Sequence, residues 1–274
     1  MMQELTGITS VLIPIYNHER HVAQALDSLL NSDCSKIELI ICDDASSDRS
    51  FKIAEDWLEQ HGSSFFKATL LANETNLGVT ANLNKLVQSA SGEFITFLAS
   101  DDMFAERAID TQKQYLLNHP SVDFVFANCG IVDTSGRTLK REVISKLQSK
   151  LLVLRTYLLL NVMFNWSVVW ARTLARRQKF IALGRYIEEH SIEDRWIALK
   201  IMNTRRYAYF HNVVYLYRFR GAEKHPVIGV EIARREFHNV ERRLHPESTG
   251  LLNFLLWIRR LPFKTNHGKW PCRF

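Results

Sequence analysis

The sequence predicts an α/β fold with a mostly parallel central sheet flanked by helices. Three observations carry this expectation. Short apolar runs alternate strictly with segments of helical spacing from residue 8 to residue 127. The run 94–99 is apolar, β-branched and aromatic, as suits a strand covered on both faces. That run and the run 37–42 are each followed by adjacent carboxylates, Asp101-Asp102 and Asp43-Asp44, at the strand end where open α/β sheets keep their ligand crevice.

Residues 8–14 read as the first strand, which Pro14 closes because it cannot donate to a ladder. Residues 19–30 carry Val22, Ala25, Leu26, Leu29 and Leu30 at helical spacing. The second strand is 37–42, and Ala45-Ser46-Ser47-Asp48 forms a turn and cap before a helix at 50–60. A third strand at 65–71, a turn at Asn76-Leu77-Gly78 and a helix at 79–89 lead to the strand 94–99. Residues 105–117 read as helix, stopped by Pro120, and 122–127 as a fifth strand. Beyond Asn128 the alternation decays. A hairpin turn is expected at 133–136, helix at 147–160, extended chain at 167–170, helix at 192–202 and strand at 207–219.

The chain has 274 residues, enough for one large domain or a domain with an appendage. Its net charge is +6, yet residues 228–274 alone hold nine Lys and Arg against four acids. The body is therefore close to neutral. That excludes a nucleic-acid face spread over the fold and favours a local anionic contact such as a membrane surface. The four cysteines are scattered without CxxC spacing, which points to free thiols in a reducing cytoplasm. No basic segment followed by an apolar core opens the chain, so no signal peptide is expected. The apolar stretch 151–170 contains Arg155, Asn161 and Asn165 and reads as a buried helix and strand rather than a membrane span.

Two carboxylates side by side suggest a bound cation, and hard oxygen ligands suit Mg²⁺ or Mn²⁺, which commonly bridge substrate phosphates. Asp101 and Asp102 equally suit the opening of the following helix. A dinucleotide-binding domain is excluded, because the first strand runs into Pro14-Ile15-Tyr16-Asn17 with no glycine-rich loop. No Walker loop is present either.

Ser10-Val11-Leu12-Ile13-Pro14-Ile15-Tyr16-Asn17, Asp43-Asp44-Ala45-Ser46-Ser47-Asp48, Asn76-Leu77-Gly78 with Asn84, Gly92-Glu93-Phe94-Ile95 and Ser100-Asp101-Asp102 occur in this order. Together they resemble a family-2 glycosyltransferase of the GT-A fold, a Rossmann-like, mostly parallel sheet flanked by helices. Ile192-Glu193-Asp194 and Tyr217-Arg218 extend the likeness into the second half. The resemblance implies an inverting, metal-dependent transferase that takes a nucleotide-diphosphate sugar. It places a transferase domain at 1–227, with a nucleotide-sugar half (1–127) and an acceptor half (128–227), before a basic, amphipathic extension at 228–274.

By the same resemblance Pro14, Tyr16, Asn17, Glu19, Asn76 and Asn84 belong to the nucleotide pocket. Asp44 accepts the uracil N3–H, Asp43 supports that loop and Asp101 lies near the ribose. Asp102 ligates Mn²⁺ or Mg²⁺. Asp194 is the general base, with Glu193 as the alternative. Lys85, Arg218 and Arg220 are phosphate or acceptor contacts, with a solvated charged edge as the alternative for Arg218 and Arg220. Leu83 stands where the family often has arginine, and Arg220 where it often has histidine.

The donor expected is a UDP-sugar, with dTDP- or GDP-sugars or a catalytically silent binding protein as alternatives. The acceptor expected is a glycan or lipid-linked glycan, as in surface-polysaccharide synthesis. Transfer of a single sugar follows from the lack of membrane spans and of a Q-x-x-R-W motif. Residues 251–264 are apolar and then basic, so this segment either lies at a membrane interface or docks on the domain as a C-terminal helix. A cytoplasmic protein, at the inner face of the membrane if that contact forms, is the corresponding expectation.

Overall fold

A computed structural model of the chain describes residues 5–164, 172–186, 193–220, 239, 241–244, 246, 248 and 250–260. The first half follows the predicted alternation: β1 (Leu5–Ile15), α1 (Val22–Asp27), β2 (Ile37–Asp43), α2 (Ser50–His61), β3 (Lys67–Ala72), α3 (Val79–Ser89) and β4 (Gly92–Phe97). A two-residue strand β5 (Met103–Phe104), α4 (Ala108–Asn118) and β6 (Phe124–Val132) come next. The second half contains β7 (Thr138–Lys140), α5 (Lys146–Leu152), α6 (Arg155–Phe164), β8 (Thr173–Arg176), α7 (Arg177–Ile181), α8 (Glu193–Thr204), β9 (Tyr207–Arg218) and α9 (Gly250–Arg260).

These strands form one sheet in the order β3-β2-β1-β4-β8-β6-β9-β5, with β7 paired to β6. β3, β2, β1 and β4 are parallel, whereas β8 runs antiparallel between β4 and β6. β9 then lies parallel to β6. The carboxyl ends of β1, β2, β4, β6 and β9 therefore share one edge of the sheet.

Side chains along the strands alternate between two cores, as the period of two requires. Val11, Ile13, Leu39, Ile41 and Phe94 pack with α1, α2 and α4 through Leu26, Trp57 and Leu116. Leu12, Ile40, Ile95 and Phe97 face α3, α6, α8 and α9 through Leu86, Val162, Ile197 and Leu256. Each such side chain contributes about 1.5–3 kcal/mol by leaving water.

Glu38 interrupts the β2 apolar run and is 0% exposed. Its carboxylate accepts from Ser10 Oγ (2.6 Å), Ser91 N (2.8 Å) and Ser91 Oγ, and from Gly92 N at 3.2 Å. This network ties β1, β2 and the start of β4 together at the edge opposite the site. A Cβ on Gly92 would lie 2.8 Å from Ile8 O and Ser10 N, so only glycine lets these strands approach.

Several expectations need correction. β1 continues through Pro14 to Ile15, because Pro14 lies beyond the last β1–β4 pair, Leu12 with Phe97, and its missing N–H breaks no ladder bond there. The expected helix 19–30 is a short α1 followed by a 3₁₀ turn at Ser28–Asn31. The expected helix 147–160 is two helices broken at residues 153–154. β8 and β5 were not anticipated, being only four and two residues long. The expected extended segment 167–170 lies outside the described residues. At the C-terminus, α9 docks on the domain, burying Leu252, Leu255 and Leu256 in the core.

Candidate active site

The crevice is built at the shared carboxyl edge. After β1 the chain turns at Asn17, whose φ of 53° is a left-handed conformation that asparagine tolerates well. Asn17 N donates to Ser46 Oγ (3.0 Å), and its Oδ1 accepts from Ser47 N (2.8 Å). Glu19 N donates to Asp48 Oδ2 (3.0 Å), while the Glu19 carboxylate accepts from Arg49 N (3.2 Å). Asn17 and Glu19 thus stitch the β1 loop to the β2 loop. Pro14 pairs with Cys42 within the sheet, and Tyr16 is exposed beside this seam.

Asp43 and Asp44, both buried, do different work. Asp43 accepts from Ser46 N (2.9 Å) and Ser46 Oγ (2.6 Å), fixing its own turn. Asp44 reaches across to the loop after β3. Its Oδ1 accepts from Asn73 Nδ2 (2.7 Å) and Leu77 N (2.9 Å), and its Oδ2 from Gly78 N (2.9 Å). Asn76 Oδ1 also accepts from Gly78 N, at 3.0 Å. Oδ2 of Asp44 retains an acceptor position for a ligand N–H. Lys85 donates to Asn73 Oδ1 (2.6 Å) and Ala72 O (3.2 Å), so it belongs to the Asp44 side of the crevice.

The acids after β4 are held by β9. Asp102 is 5% exposed. Its Oδ1 accepts from Arg218 N (2.7 Å) and its Oδ2 from the Tyr215 hydroxyl (3.0 Å). Burial, and then the charge of Asp101, push its carboxyl up to about 7. Tyr215 OH also accepts from Ala99 N (3.2 Å), and its phenol is raised well above 10 by burial. Arg220 pairs with Asp101 Oδ2 and approaches His18 Nε2 at 2.9 Å. An arginine only donates, so His18 accepts at Nε2 and donates from Nδ1 to Ser100 Oγ (2.7 Å). Burial, the largest cause, lowers His18, and burial followed by the charges of Arg218 and Arg220 takes His21 down to about 4. Both imidazoles are therefore neutral near pH 7.

One expectation changes on this geometry. Arg218 is 1% exposed and is no part of a solvated edge. Its guanidinium donates to Asp101 O (2.6 Å), Asp133 O (3.1 Å), Thr134 O (3.0 Å) and Gln24 Oε1 (2.8 Å), latching the loop after β4 and the β6–β7 loop to α1. Asn84 is bonded within the fold. Its Nδ2 donates to Tyr186 O (3.1 Å) and its Oδ1 accepts from Tyr186 N (2.9 Å), which pins that strand of backbone against α3. Leu83 is buried in the core. Glu193 and Asp194 open α8, and their side chains lie outside the described residues. Tyr215, His18 and Ser100 were missed by sequence reasoning. The signals for them were a tyrosine two residues before Tyr217 on the same strand, and a polar residue three positions past the ends of β1 and β4.

Among the described residues no three His, Cys, Asp or Glu side chains form a metal cage. The donor set nonetheless fits Mg²⁺ or Mn²⁺ of the kind that takes one or two carboxylates and completes its shell with water and substrate phosphate. The raised carboxyl of Asp102, beside Asp101, is the strain that such a cation relieves.

Comparison with known proteins supplies an independent frame. A family model described as glycosyl transferase family 2 matches residues 10–181. The β-1,3-glucosyltransferase WfgD of Escherichia coli, named for UDP-Glc and α-D-GlcNAc-diphosphoundecaprenol, is 31% identical over 130 residues, 47% of this chain and 48% of that protein. The putative glycosyltransferase EpsE of Bacillus subtilis is 32% identical over 127 residues, 46% of this chain and 45% of its own. The chain spans about half the length of the curated relatives it matches. Among solved structures, residues 1-349 of S. aureus TarS in complex with UDP-GlcNAc superpose with a TM-score of 0.68 at 20% identity, covering 88% of this chain and 66% of that TarS chain. The mannosyltransferase PcManGT of Pyrobaculum calidifontis, in complex with GDP-Man and Mn²⁺, gives 0.68 at 16% identity over 94% of this chain and 71% of its own.

Proposed function

This chain belongs to glycosyl transferase family 2, and on that premise we propose that it transfers one sugar, with inversion, from a UDP-sugar to a hydroxyl of a lipid-linked or other glycan acceptor. The fold is the GT-A arrangement. The observation that carries the reading is the convergence of Asp44 with Asp101 and Asp102 at one edge of the sheet, joined by loops that bond to each other. Asp44 offers Oδ2 to the base, Tyr16 an exposed ring, and Asp101 a carboxylate for the ribose.

In the transfer, the acceptor oxygen bonds to the anomeric carbon as the bond from that carbon to the diphosphate oxygen breaks. The electron pair leaves with the diphosphate, and the acceptor proton passes to Asp194, or to Glu193. Placement in the first turn of α8 favours an ionised carboxylate, as a base requires. Asp102 would hold the divalent cation, which supplies charge neutralisation on the diphosphate when bound. Arg220, the cation beside Asp101, is the protein's own donor for the same group.

The name of WfgD supports a lipid-linked acceptor. PcManGT, solved with GDP-Man and Mn²⁺, keeps a GDP-sugar as the second donor reading. The test is transfer of labelled sugar from a donor panel to a membrane lipid extract, with the new linkage read by NMR. A β-linkage formed from an α-linked donor, lost in Asp194→Asn and Glu193→Gln together, is the expected outcome. Retention of configuration, or full activity in the double variant, would overturn the mechanism.

A further inference from the structure

The α5–α6 corner carries an apolar face turned outward. Leu147 and Leu151 share one face of α5 at i and i+4, Val153 and Leu154 follow exposed in the break before α6, and Ser149 and Leu152 take the buried side. Leu147 is 72% exposed, Val153 65% and Leu154 60%, a concentration of large aliphatic surface unusual for a monomer's solvent face. Exposed Lys146, Lys150 and Arg155 are interleaved with it, and residues 143–160 contain no acid.

Arg155 also borders a cavity of about 290 Å³ between α6, α8 and α9, lined by Arg205, Asn203, Leu159, Leu251 and Leu252. From there the surface continues onto α9, where Leu251 and Phe254 are exposed although Leu252, Leu255 and Leu256 hold the helix in place. Among the described residues no carboxylate forms a salt bridge with Lys146, Lys150, Arg155 or Arg205. No helix of the described residues is long and apolar enough to cross a bilayer.

We propose that this face docks on an anionic lipid bilayer: the leucines enter the headgroup boundary, and the lysines with Arg155 and Arg205 take lipid phosphates. A purely apolar partner leaves four cations unmatched, and a purely ionic one leaves the leucines in water. An anionic bilayer satisfies both sets. The proposal stands on this surface alone and is independent of the donor site.

The test is co-sedimentation of the full chain with vesicles of phosphatidylcholine alone, and of phosphatidylcholine with phosphatidylglycerol in equal parts. Binding is expected only to the anionic vesicles and is expected to fall with added salt. Lys146→Ala with Lys150→Ala should weaken it about 30-fold, from roughly a factor of five per basic residue at an anionic surface. Leu147→Glu with Leu154→Glu should abolish it, and circular dichroism with donor binding checks that these surface variants stay folded. Equal binding to neutral vesicles, no binding to either, or anionic binding unchanged in both variants would each overturn the proposal. So would a dimer on size exclusion that the leucine variants convert to monomer, since the face would then join two copies of the chain.

Discussion

Replacing Arg218 with lysine keeps the charge and removes the fork. The guanidinium makes four hydrogen bonds, to Asp101 O, Asp133 O, Thr134 O and Gln24 Oε1, through three nitrogens pointing in different directions. A single ammonium reaches at most two of these acceptors, so at least two part-buried acceptors lose a charged donor. At about 1.5 kcal/mol for each, the low end for bonds to charged groups, the loss is about 3 kcal/mol. That is a large part of the ~5–15 kcal/mol that holds a typical protein folded. In urea, with a slope of roughly 2 kcal/mol/M, the midpoint should fall by roughly 1.5 M. Equilibrium unfolding followed by tryptophan fluorescence measures it. A midpoint within roughly 0.3 M of the parent would refute the view of Arg218 as the latch of the acidic loop.

Glu38 sets the response to acid. Burial alone would raise its carboxyl, but donors on Ser10, Ser91 and Gly92 outweigh that and hold it below its usual value of 4.5. A carboxyl held low by the fold contributes stability above the unfolded-state value and loses it as pH falls through the folded-state value. Wild type should therefore be more stable than Glu38→Gln at neutral pH, and the gap should close below about pH 4.5, as unfolding curves at several pH values would show. Gly92→Ala places a Cβ 2.8 Å from the Ile8 carbonyl oxygen and should cost about 1–3 kcal/mol, read as a lower melting temperature. Tyr215→Phe removes the hydroxyl that bonds Asp102 and accepts from Ala99 N, and should lower the melting temperature, at about 1.5 kcal/mol for the bond to a charged group, as well as weaken donor binding read by calorimetry.

The parallel half of the fold was legible because each of its strands is built on a mostly apolar run and each helix has its own period, both local signals. β8 was not legible, since Thr173-Leu174-Ala175-Arg176 is short and owes its place to β4 on one side and β6 on the other. The acids were legible as pairs at strand ends, but their different duties were not. Asp43 bonds within its own turn, whereas Asp44 bonds more than 28 residues away, a separation no local pattern encodes. Arg218 illustrates the same limit. A strand-end arginine reads as an exposed charge until Gln24, Asp101, Asp133 and Thr134 are brought around it. The bond of Asn84 to Tyr186, from the far half of the chain, which takes both ends of its amide, was likewise not legible.

The central claim is that the carboxylate crevice binds a nucleotide-diphosphate sugar with a divalent cation. Calorimetric titration of UDP-, dTDP- and GDP-sugars, with Mn²⁺ and then with a chelator, tests it most directly. The account predicts saturable binding of a UDP-sugar that disappears with chelator and in Asp102→Asn. Absence of binding by every nucleotide sugar with the metal present, from a protein shown to be folded, would contradict it.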